Sequence, residues 1–183
     1  MGIFKKWLNV NQLNENANIN QLNHRLRTLF YCACVRQIWN KLTDQRSKDA
    51  IIISELYVDG KATYEELLTA RTAADVAAYA AYWTANAVSA AVDNRKEMII
   101  TQGKLLESII QPNLQYNKEW STSTVKLLTQ QIYEQQDWNL LPILADALQD
   151  NNCNNDELLL ELRNGNLWCK GNKLLDEILE KRS

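Results

Sequence analysis

Four cysteines, one histidine and an Asn/Asp-rich stretch hold most of the chain's capacity for chemistry. Cys32 and Cys34 stand as C-A-C, while Cys153 and Cys169 lie near the other end. Structural zinc takes four ligands, commonly from C-x-x-C pairs or mixed Cys/His sets. Residues two apart in a helix point about 200° from each other, so Cys32 and Cys34 do not converge on one ion. These thiols read as small buried apolar groups, and no metal site is expected.

His24 and Cys32 are the remaining candidates for a nucleophile and its base. Such a pair needs hydrogen-bond reach, yet eight helical residues place the two about 12 Å apart in rise. No G-x-S-x-G, H-E-x-x-H, dinucleotide fingerprint or phosphate-binding glycine loop occurs. The expectation is a protein that is not an enzyme, with no catalytic residue and no cofactor.

The stretch "DNNCNNDELLLE" places Asp150, Asn152, Asn154, Asp156 and Glu161 at positions 1, 3, 5, 7 and 12 of a calcium loop. Position 6, which favours glycine, is Asn155, and the usually apolar position 8 is Glu157. Few negative ligands remain, and an Asn-rich turn between two helices explains the same letters.

Charge is divided unevenly along the chain. Residues 1–50 carry eight Lys/Arg against three Asp/Glu, whereas the whole protein has a net charge of −2. Arg25, Arg27 and Arg36 are the candidate contacts for nucleic acid, the alternative function, with Lys41, Arg46 and Lys48 nearby. A pI of 5.5 and a scattered footprint argue against a binding stripe. Pairing of some of these cations with Glu55, Asp59, Glu65 or Glu66 is the competing expectation.

The elements that must hold these residues are helical. Five glycines and two prolines in 183 residues are too few for an all-β chain with many tight turns. A first helix is expected over "HRLRTLFYCACVRQIWNKL" (24–42), uncharged on every face from Thr28 to Val35. A second follows, with Thr43 or Asp44 as its start and Gly60 as its stop. Ile51–Ile53 has strand propensity but lies between helix signals, so it is assigned to that helix. Thr63 and Glu66 have capping-box spacing, and helix is expected through much of 63–110.

Within that span, Thr69–Val92 contains eleven alanines, and no charge falls between Asp75 and Asp93. Alanine is too weakly apolar for a membrane span, and no such span is expected. Val76, Tyr79 and Trp83 recur at i, i+3 and i+7, a stripe that a mere spacer would not need. The segment is therefore expected as a long Ala-rich core helix at the centre of a bundle, around which the other segments wrap. Tyr79, Tyr82 and Trp83 are its candidate partner-binding anchors.

Four shorter helices are expected beyond residue 121: "STSTVKLLTQQIYEQ", "LPILADALQD" with Pro142 in its first turn, "NNDELLLELRNG" and "NKLLDEILEKRS". The fold class is thus all-α, a helical bundle around a long Ala-rich central helix with a C-terminal set of short helical hairpins. Residues 1–22 form an N-terminal segment and Asn-rich linker. Residues 23–183 form a single domain with a long-helix part (23–110) and a short-helix part (121–183). "MGIFKKWLNV" lacks the apolar run of a signal peptide, so reduced thiols and a cytoplasmic location are expected.

The stretches "LRTLFYCACVRQIWNKLTDQRSKDAI", "LYVDGKATYEEL" and "QQIYEQQDWNLLPILADALQDNNCNNDELLLELR", together with the alanine tract, resemble a family of uncharacterised bacterial proteins. Its members join a Cys-rich N-terminal helix to an Ala-rich middle and an "ILADAL"-type helical tail. The resemblance spans about residue 24 to the end and implies architecture and bacterial origin, not an activity. At Leu162 and in "LWCKGN" this chain departs from the family's His/Cys-containing pattern. The functional expectation is a non-catalytic protein–protein interaction module, an adaptor, regulator or assembly component of a bacterial cytoplasmic system. Defence or conflict is one setting for it. The partner is another protein of unknown identity, or a second copy in a homodimer.

Overall fold

Asn23 opens the first helix by accepting a hydrogen bond from the Leu26 N–H at 2.9 Å, satisfying one of the donors that a helix start leaves without a partner. The computed structural model describes residue 19 and residues 22–83, 95–110, 115–165 and 167–181, with the side chains of 76–99 outside that description. Among the described residues there are eight α-helices and no strand, so the protein is all-α. The chain divides into two units, Met1–Gly103 and Lys104–Ser183.

In the first unit α1 covers His24–Arg36, α2 Gln45–Val58 and α3 Tyr64–Trp83. Helix α1 buries Leu29, Phe30, Cys32, Ala33 and Cys34, as its uncharged centre leads one to expect. It ends six residues short of the expected Leu42. A 3-10 turn over Trp39–Lys41 follows instead. Tertiary contact explains the early stop: Trp39 folds back so that Arg36 lies 4.6 Å and Lys48 5.6 Å from its ring centroid, an attraction that outweighs local helix propensity.

Asp44 caps α2 by accepting from the Arg46 N–H, and Gly60 stops it with φ at +71°, the conformation glycine adopts without a Cβ clash. The isoleucine run is helical. Ile51 is buried while Ile52 is exposed, the one-sided burial of an amphipathic helix. Thr63 and Glu66 close the capping box at the start of α3. The Thr63 N–H donates to the Glu66 carboxylate at 2.7 Å, and the Glu66 N–H donates to the Thr63 hydroxyl at 3.2 Å.

The first part of the Ala-rich segment is helical, within α3 over residues 64–83. Its described side chains do not show a rod buried on every side. Leu67 is buried, Ala70, Ala73 and Ala74 are half-buried, and Thr69, Arg71, Thr72 and Asp75 are exposed. Much of the unit's described core comes instead from α1 and α2. The expected anchors Tyr79, Tyr82 and Trp83 have side chains outside the described residues. The stretch expected to continue the helix through 84–94 also lies outside them.

Helix α4 covers Arg95–Ile110 and crosses the boundary between the units. In the second unit α5 (Ser123–Gln135), α6 (Leu141–Asp150), α7 (Asp156–Asn164) and α8 (Lys173–Ile178) are the four short helices expected. Thr122, Asn155 and Asn172 cap α5, α7 and α8 through their side chains, whereas α6 starts without a side-chain cap and carries Pro142 in its first turn. Helix α6 packs against both α5 and α7, and α8 returns to α5. Between them lie Val125, Ile132, Leu144, Leu148, Leu162 and Leu175, all essentially without solvent exposure. Burying one such aliphatic side chain contributes about 1.5–3 kcal/mol.

Candidate functional site

Helix α2 packs against both α1 and α3, and an open groove of about 240 Å³ runs between the three. Its walls are three helical stripes. From α1 come His24, Thr28, Tyr31, Cys32 and Val35; from α2, Ala50, Ile51, Ser54, Tyr57 and Val58; from α3, Leu67, Arg71, Ala74 and Asp75. Each set repeats at three- and four-residue intervals, so each is one face of its helix. The α1 stripe alone extends about 16 Å along its axis.

The interior of this groove is apolar by construction. Cys32, Ala50, Ile51 and Leu67 are buried, whereas His24, Arg71 and Asp75 stand exposed. Three polar groups of its walls are turned to the backbone. Thr28 donates to the His24 carbonyl at 2.9 Å, Ser54 to the Ala50 carbonyl at 2.7 Å, and the Cys32 thiol to the Ile51 carbonyl at 3.9 Å. A visiting group therefore meets methyls, a thiol and aromatic rings. At one end Tyr57 meets Tyr64 with ring centroids 6.3 Å apart, which fixes the junction of α2 and α3.

The arginines proposed for nucleic acid are directed inward. Arg25 donates through Nε and Nη2 to Asp59 Oδ1, both at 3.1 Å. Arg36 donates through Nε and Nη2 to the two oxygens of Glu55 at 2.6 and 2.8 Å. Arg27 donates to the Leu22 carbonyl at 3.0 Å. Two of the four carboxylates expected as partners, Glu55 and Asp59, are thus the ones used. Their side chains are 4% and 2% exposed, so these pairs fasten α1 to α2 and do not form a solvent-facing cationic stripe.

Cys32 and Cys34 are buried in the first unit, and Cys153 and Cys169 in the second. Among the described residues no group of three His, Cys, Asp or Glu side chains is placed to hold a metal. The calcium-like letters form an interhelical turn: Asn152 has φ at +62°. The Asn155 side chain accepts from the Leu158 N–H at 3.1 Å and donates to the Gln115 carbonyl at the same distance. Its side chain is thereby engaged in capping.

Sequence reasoning missed the groove. The stripes at 24/28/31/35, 50/54/57 and 67/71/74 are visible as periodicities. That these three faces converge is a tertiary fact with no local signal.

No described helix is long and apolar enough to cross a membrane. Comparison with protein-family models, with curated proteins and with solved structures returned no match.

Proposed function

We propose that this chain is a non-catalytic interaction module whose α1–α2–α3 groove receives an amphipathic helix of a partner protein. The observation that carries the reading is the convergence of three helical stripes on one apolar channel with a polar rim. A partner helix with apolar residues at i, i+3 or i+4, and i+7 matches such a channel. At about 240 Å³ the space lies below the range common for small-molecule pockets, roughly 300–1,000 Å³. Thr28, Ser54 and Cys32 are engaged with the backbone, which leaves apolar contact as the main contribution of the groove's interior. Four buried thiols without a disulfide fit a reducing compartment, so a cytoplasmic setting belongs to the same proposal.

A photo-cross-linking amino acid at position 71 tests the reading in cells of the native source. The expected product is a cross-link to an amphipathic helical segment of another protein, located by mass spectrometry. Its yield falls at least tenfold when Ala74→Trp fills the groove. A cross-link indifferent to that substitution, or one formed with a second copy of this chain, would overturn the proposal. A nucleic-acid regulator is the second reading, and inward pairing of Arg25 and Arg36 weighs against it.

A further inference from the structure

We draw no further inference here: the strongest candidate apart from the groove already described, the cluster in the second unit where Lys170 and Lys181 lie 5.2 and 4.4 Å from the ring centroid of buried Tyr133, carries nothing, because its ammonium groups already engage that ring and neither they nor the six-residue helix α8 beside them points to a ligand.

Discussion

Arg36 and Glu55 meet side by side, two nitrogens to two oxygens, at 2.6 and 2.8 Å, with the guanidinium also 4.6 Å from the Trp39 ring centroid. One side chain therefore joins the end of α1, the turn after it and the middle of α2. Glu55 is buried, so truncating it leaves a largely enclosed cation without its counter-charge. Glu55→Ala is expected to destabilise the first unit by about 2–4 kcal/mol, read as a lower denaturant midpoint. Removing Lys126 from its solvent-exposed pair with Glu180 should leave the midpoint of the second unit where it was.

Neutralising Arg25, Arg27 and Arg36 together should lower thermal stability without revealing a lost nucleic-acid affinity. Fluorescence anisotropy at low salt against duplex DNA and single-stranded RNA is expected to give no binding by the wild-type protein. The contrary outcome is binding that weakens steeply with salt and disappears in a triple variant whose melting temperature is unchanged.

The capping box makes the start of α3 sensitive to acid. The Thr63 N–H, and after it the Thr63 hydroxyl, holds the Glu66 carboxyl below its ordinary value of 4.5. A depressed carboxyl contributes stability above the unfolded-state value and loses it as pH falls through the folded-state value. The protection factor of amides in the first turn of α3, corrected for the intrinsic exchange rate at each pH, should therefore fall below about pH 4.5. In Glu66→Gln that acid-dependent change should be absent.

Gly165 and Gly103 should respond to alanine with opposite signs. A Cβ at Gly165 would sit 2.5 Å from the Glu161 carbonyl oxygen and 2.7 Å from Trp168 Nε1, whereas one at Gly103 has no heavy atom within 4 Å. Gly165→Ala is expected to cost about 1–3 kcal/mol through forced displacement of a backbone carbonyl and a buried indole. Gly103 lies inside α4, where alanine should stabilise by about 0.5–1 kcal/mol. Melting curves of both variants, with Trp168 fluorescence for the first, check the pair.

The features legible in the sequence are those determined within a few residues. Asp44, Gly60, the Thr63–Glu66 box and Pro142 act through hydrogen bonds or dihedral angles close along the chain, and each stands where its spacing implied. The end of α1 was not legible, because Trp39 answers to Arg36 and Lys48 through space. Glu55 and Asp59 could be named as partners for the basic residues, but the choice between them and Glu65 or Glu66 needed the packing of α1 on α2. Composition pointed to helix, which the described backbone has over 64–83; small side chains allow close approach, and only neighbouring elements decide whether it is used. The groove was hidden for the same reason.

The most direct test of helix docking is an NMR titration with amphipathic helical peptides selected from a displayed library against the whole protein. Binding is expected to shift the amides of Thr28, Cys32, Ser54 and Leu67, and Ala74→Trp should weaken it at least tenfold while leaving the rest of the spectrum folded. Peptides whose shifts fall in the second unit, or whose affinity ignores Ala74→Trp, would contradict the account.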